Sequence, residues 1–197
     1  MNIFYLHRDP VVAAEMSCDK HVVKMILESA QLLSTCHRVQ DGIEWYDKTA
    51  NGRKIKRWRH PNKNIDAVLY KAGWVKHPST IWLFESAYNY MWLYKHMMAL
   101  NEEYKKRYNH TDDHITITKL GELLKFPPKN AKINKIGTDP QPAMPEYCKV
   151  DGDAVGSYRN YYILEKKRFA TWKSPAKVPE WYKEGKLYGN ETDEQYI

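Results

Sequence analysis

The run from Val11 to about His37 constrains this chain more than any other part of it. Its apolar residues recur at helical spacing, with a break expected near Ser17–Asp19. Asp9 and Pro10 open the run as an N-cap and a first helical residue. Past the break, Val22, Val23, Ile26, Leu27, Ala30 and Leu33 cover most of the helix surface. One polar stripe remains: His21, Lys24, Glu28, Gln31 and Thr35, at steps of 3, 4, 3 and 4. A helix apolar on most sides is buried, so its polar stripe must find partners or face a cleft. The same spacing also suits a plain solvated face. His, Lys and Glu are all acid–base groups, and their mixture on one stripe favours a cleft.

The rest of the chain reads around that helix. Ile3–Leu6 is a short strand or a buried arm. Residues 39–76 carry Gly42, Asn51-Gly52 and Pro61 with a basic run from Arg53 to Arg59, which predicts a basic loop or hairpin. A turn of helix follows near Ile65–Lys71. His77-Pro78 starts a second long helix reaching about Tyr108, and Thr111-Asp112-Asp113 caps a third, ended by Pro127-Pro128. Residues 126–152 hold five Pro and read as an extended loop. Asp151 or Asp153 caps a fourth helix through about Phe169. The expected fold is mainly α: a single-domain helical bundle over residues 1–197 with long basic and Pro-rich loops.

The 197 residues carry a formal net charge of +7. Such a field attracts polyanions, nucleic acid first. Fifteen Tyr and seven Trp against four Phe suit wet binding surfaces as well as cores. Cys18, Cys36 and Cys148 are odd in number and form no CxxC pair, so no disulfide framework or zinc motif is expected, and a reducing cytoplasm fits. No signal peptide or membrane span is expected, nor a cofactor or metal.

Two further faces could carry chemistry. Trp82, Glu85, Asn89, Trp92 and His96 share a stripe on the second helix. They could stack and hydrogen-bond a base, or Trp82 and Trp92 could be core. Arg159, Tyr162 and Lys166 share a face of the fourth helix, with Tyr158, Lys167, Arg168 and Trp172 nearby. Cations among aromatics suit a phosphate backbone with adjacent bases; a Tyr-rich core face is the alternative.

The stretch Asp19-Lys20-His21-Val22-Val23-Lys24-Met25-Ile26-Leu27-Glu28 resembles the catalytic helix of the phage and bacterial pyrimidine-dimer DNA glycosylases of the endonuclease V type. Trp74-Val75-Lys76-His77-Pro78 resembles that family's Asn-His-Pro helix start. Ser157-Tyr158-Arg159-Asn160 and Pro179-Glu180-Trp181-Tyr182 resemble its C-terminal pieces. The resemblance implies an α-helical enzyme that cleaves a glycosidic bond of a damaged pyrimidine and then nicks the strand. It implies Glu28 as the catalytic carboxylate and an N-terminal amine as the nucleophile. Asn2 disfavours the removal of Met1 that would expose such an amine, and Leu27 and Gln31 stand where Arg is implied. Lys24 is then the expected amine, activated by desolvation, with Lys20 second; a water nucleophile, as in a monofunctional glycosylase, stays open beside them.

The expected site is therefore Glu28, Lys24 and His21 for catalysis. Asp19, Gln31, His77, Trp82, Glu85, Asn89, Tyr158, Tyr162 and Trp172 are expected around the base, and Arg53, Lys54, Arg57, Arg159, Lys166 and Lys167 on phosphates. The expected partner is double-stranded DNA from which a base is flipped out. Two alternatives stay open: a protein that binds a nucleotide or modified base without turnover, and a base-hypermodification enzyme on the same fold.

Overall fold

The computed structural model describes residues 2–133 and 136–189. The arm at Ile3–Leu6 is buried but pairs with no strand among the described residues. The Asn2 side chain accepts the Ile3 N–H at 2.8 Å. Phe4 sits at φ 47, a left-handed conformation that costs an aromatic residue about 1–3 kcal/mol and persists only where packing enforces it.

Helix α1 runs Pro10–Met16, with the Asp9 carboxylate accepting from the N–H groups of Val11 and Val12. The expected break falls at Ser17 and Cys18, and α2 runs Asp19–Asp41. Helix α2 is the central element. It packs along α5 (Ala87–Tyr108) and also touches α4 (Pro78–Glu85) and α6 (Ile115–Leu120). Ile26, Leu32 and Leu33 of α2 and Leu93, Met97 and Leu100 of α5 are all fully buried.

The sequence reads one helix from His77 to Tyr108, but the chain breaks it at Ser86. That residue is extended (φ −158, ψ 139), and its hydroxyl accepts the Tyr88 N–H. The Asn89 amide donates back to the Trp82 carbonyl at 2.9 Å, satisfying a group that the end of α4 leaves open. Helix α6 is capped by His114 rather than by Thr111–Asp113. Asp113 instead accepts from Asn101 at 2.7 Å and from Lys105 at 3.0 Å.

Between α2 and α4 lies an antiparallel hairpin of β1 (Ile43–Lys48) and β2 (Lys54–Arg59), with Trp45 opposite Arg57 and Tyr46 opposite Lys56. Its loop is wider than a two-residue Asn-Gly turn. Thr49 N–H donates to the Arg53 carbonyl at 2.8 Å, and Gly52 takes the left-handed φ of 74 within the loop. Helix α3 (Lys63–Val68) follows. After a long irregular stretch, Asp153 caps α7 (Ala154–Tyr161), which continues as a wider helical turn over Tyr162–Lys166. Helix α8 (Glu180–Glu184) brings Trp181 against Tyr162. The fold is mainly α, as expected, and no helix among the described residues is long and apolar enough to cross a membrane.

Two arginines fasten this frame. Arg107 of α5 is fully buried and paired with Glu103 (2.8 Å) and Asp19 (3.3 Å). It also donates to the carbonyls of Ser17 (2.6 Å) and Glu15 (2.9 Å) at the α1–α2 junction. Arg38 of α2 is its counterpart below the hairpin. It pairs with Asp66 and donates to the carbonyls of Trp58, Asp66, Leu69 and Tyr70.

Candidate active site on the central helix

The polar stripe of α2 is closed at both ends and open between, and Asp19, off the stripe, is closed in with its first residue. At its start, Asp19 and His21 are buried. The Asp19 carboxylate accepts from the Thr171 hydroxyl (2.9 Å), the Lys173 N–H (3.0 Å) and Arg107. It anchors three segments and turns no oxygen to a cleft in the way a base contact would. The His21 ring stacks on Phe4 with centroids 3.9 Å apart, and its Nδ1 pairs with the Tyr162 hydroxyl. Burial, aided by the charges of Lys166 and Lys24, lowers its pKa to about 3. His21 is therefore neutral at physiological pH.

At Lys24 and Glu28 the stripe is accessible, whereas Thr35 at its far end is buried. Lys24 Nζ lies 3.1 Å from Glu28 Oε1, with side chains 68% and 15% exposed. The desolvated amine expected from the sequence is thus absent: Lys24 stands in water and Glu28 is the half-buried partner. The charge of Glu28 also reaches His77, where it opposes the downward shift that burial imposes. His77 is held in place as the N-cap of α4, its Nδ1 accepting the Ser79 N–H at 3.2 Å, with Pro78 as the first helical residue.

The loop before His77 is tied to α2. Thr35 Oγ1 donates to the Gln31 carbonyl (2.8 Å) and accepts the Gly73 N–H (3.2 Å). Trp74, at φ 56, gives its carbonyl to Thr80 Oγ1 at 2.8 Å and sets its ring edge-on to His77. Glu28 thus has an ammonium on one side and an imidazole within electrostatic reach, on backbone fixed by α2 and by the capped start of α4. A half-buried carboxylate so placed can accept or return a proton.

An aromatic cavity of about 620 Å³ opens between the arm and the α4–α5 junction, lined by Tyr5, Arg8, Trp82, Tyr88, Asn89 and Trp92 with residues 137–139. Much of its polar edge is engaged internally. Trp82 Nε1–H donates to the Thr138 carbonyl at 2.8 Å, and the Asn89 amide both donates to Thr138 Oγ1 and accepts its N–H at 3.0 Å. Glu85 Oε2 lies 3.5 Å from the same hydroxyl.

The C-terminal candidates are mostly scaffold. Tyr158 and Tyr162 are fully buried, so neither presents a face to a base in this conformation. Arg159 donates to the Leu6 carbonyl (3.1 Å) and the Tyr188 hydroxyl (2.8 Å) and lies 5.4 Å over Trp181. Trp172 Nε1–H donates to the Met16 carbonyl at 3.0 Å. These groups clamp the arm and the α1–α2 junction because an apolar ring gains more from the core than from a wet face. Lys166 lies 3.9 Å over Tyr161, and Lys167 is exposed.

The hairpin keeps its cations outside. Arg53 and Lys54 are exposed and Arg57 is half-buried. Lys54 lies 3.9 Å over the exposed Tyr46, and Arg59 lies 5.1 Å over Trp45. Sequence reasoning missed the fastening roles of Arg38 and Arg107. Asp66 and Asp19 lie 28 and 88 residues from them, beyond any local spacing, and only the Glu103–Arg107 pair is within one helical turn.

The sequence model of the family described as pyrimidine dimer DNA glycosylase matches residues 1–116, more than half of the 197. The matched segment holds α1 through α5, the hairpin, Lys24, Glu28 and His77; the C-terminal stretches quoted for the resemblance lie outside it. No curated protein and no solved structure matches the chain. The chain belongs to the pyrimidine dimer DNA glycosylase family, DNA-binding proteins of the glycosylase repair class.

Proposed function

We propose that this protein excises a damaged or modified pyrimidine from double-stranded DNA, with Glu28 as the acid–base carboxylate. The observation that carries the proposal is the Lys24–Glu28 pair: a half-buried carboxylate 3.1 Å from an exposed ammonium, inside the segment that matches the family. In this reading Glu28 takes the proton of an attacking water as the glycosidic bond to the base breaks, and Lys24 and His77 tune and hold the carboxylate. Gln31 lies one turn beyond Glu28 on the same stripe. The aromatic cavity receives the extruded base by stacking on Tyr88, the exposed ring of its lining; Trp82 and Asn89 are buried and serve as its frame. The hairpin cations Arg53, Lys54 and Arg57, with Lys166 and Lys167, contact phosphates.

A second reading draws on the same 3.1 Å approach. With Lys24 as nucleophile, its amine adds to the sugar C1′, the base leaves, and Glu28 moves the protons of ring opening. Reduction with borohydride during turnover separates the two readings. A trapped protein–DNA adduct lost in Lys24→Ala establishes the amine route. Base release without an adduct establishes the water route. If duplexes carrying dimers, oxidised or hypermodified pyrimidines yield neither adduct, free base nor an alkali-labile abasic site, the excision reading fails.

A further inference from the structure

Where the hairpin leaves α2, three side chains converge. His37 and Asp41 stand one turn apart on the same face of α2, and His60 follows β2 directly. One donor atom of each lies within 4.8 Å of the other two, and His60 Nε2 is 4.0 Å from Asp41 Oδ2. His37 and His60 are each 7% exposed, and the Asp41 side chain 8%. A tetrahedral zinc with bonds of about 2.0–2.2 Å holds its donors about 3.4 Å apart, so a contraction of about an ångström closes the three on an ion.

We propose that His37, Asp41 and His60 form a binding site for a divalent cation of the zinc class. Two imidazoles and one carboxylate select such an ion over magnesium or calcium, which take oxygen donors. The surroundings are built as a ligand set requires. The Asp41 oxygens are aimed by the N–H groups of Lys129 and Asn130, each at 2.9 Å. His37 Nε2 lies 3.0 Å from the Tyr90 hydroxyl, whose own proton goes to the Leu124 carbonyl at 2.9 Å. That relay makes Nε2 the donor, and the ring also meets the Phe126 carbonyl, a contact that is given up when Nδ1 binds an ion.

The carbonyl end of α2 supplies a negative potential for a cation. The neighbouring charge on Arg38 is paired with Asp66. His60 also lines a cleft of about 630 Å³ beside Ile43, Trp45 and Lys63, which gives an ion a way in. Loading at Nε2 shifts the His60 proton to Nδ1 and gives up the 3.2 Å contact with the Asn62 N–H. The ion then ties the hairpin and the 129–130 loop to α2.

The test uses the full chain, stripped with a chelator and titrated with Co2+ and then Zn2+ alone. The expected result is one equivalent of cobalt with the visible bands of four-coordinate nitrogen and oxygen ligation, displaced by zinc. Asp41→Asn and His60→Gln each weaken binding at least about tenfold. Asp41→Asn keeps an oxygen for only one of the Lys129 and Asn130 N–H groups, so its fold is checked by circular dichroism before the titration, and the wild-type spectrum decides if it is lost. If His60→Gln does not fold, the wild-type spectrum still decides, because thiolate charge-transfer bands place the ion on a cysteine and overturn the site. Absence of stoichiometric binding, or binding unchanged in Asp41→Asn, also overturns it. None of these readouts involves DNA, so failure here is distinct from failure of the excision reading.

Discussion

The N-terminal turn of α2 and the turns that follow it lie on one helix and differ in their surroundings. Asp19 and His21 are closed in by Arg107, Thr171, Phe4 and Tyr162. Lys24 and Glu28, one and two turns later, meet each other and open space beside the start of α4. Helical periodicity placed His21, Lys24 and Glu28 on one face with Asp19 off it, but long-range neighbours decided which became structure and which remained available for chemistry. The two kinds of position predict opposite responses to mutation. Change at the closed end should cost stability; change at the open end should cost activity.

The largest effect expected is at Glu28. Glu28→Gln keeps the shape and loses the proton acceptor, so base release should fall by about 10²–10⁴-fold. The midpoint of chemical denaturation should barely move. Base release close to wild type would transfer the acid–base role elsewhere and erase the distinction between the two ends. Next is Arg107→Ala at the closed end. It leaves Asp19 and Glu103 as buried, uncompensated carboxylates, a change worth about 3–5 kcal/mol in denaturant titration. A loss under about 1 kcal/mol would show that the network is not what holds the α1–α2 junction.

Acid should find the closed region first. Burial above all lowers His21 to about 3 and His96 to about 4, both from an ordinary value of 6.5. Between those values the unfolded chain binds protons that the folded one refuses, so stability rises with pH there. It is full above about pH 6.5 and is lost as pH falls toward 4. Each group contributes up to about 1.4 kcal/mol per pH unit. His96 Nδ1 donates to the Pro10 carbonyl at 2.9 Å, a bond that an Asn amide can reproduce. His96→Asn should therefore flatten the slope between pH 5 and pH 6.5 by one group's share in denaturation curves. An unchanged slope would mean that His96 titrates normally in the folded protein.

Much of the frame was legible because its causes are local. Asp9-Pro10 and His77-Pro78 open helices as their side-chain caps dictate, and most of the apolar run of α2 buries as its pattern requires, with Leu27 left exposed and Val23 half-buried. The Ser86 break was not legible, since it depends on Asn89 folding back onto Trp82 and on the Lys132 carbonyl accepting the Ala87 N–H. Tyr158, Tyr162 and Arg159 have the residue types of a nucleic-acid face. Only the return of α8 and the arm shows that they seal the molecule instead. The His37–Asp41 spacing was visible on the helix, but His60 joins it through the hairpin register, which no spacing rule contains.

The smallest stability effect expected tests the comparison most finely. Lys24 and Glu28 form an ion pair at helical spacing, and the lysine is mostly in water. Such pairs contribute about 0.3–0.5 kcal/mol, because solvent screens them and the long side chain loses entropy to hold them. Lys24→Ala should therefore lower stability by no more than that, while base release falls by a larger factor. Lys24→Arg keeps the charge and separates the two roles left to this residue. If Lys24 only positions Glu28, the arginine restores most of the activity; if its amine attacks the sugar, the arginine restores none. Measuring denaturation and base release on both variants ties the open end of α2 to chemistry, and equal losses in stability and activity would return Lys24 to the scaffold.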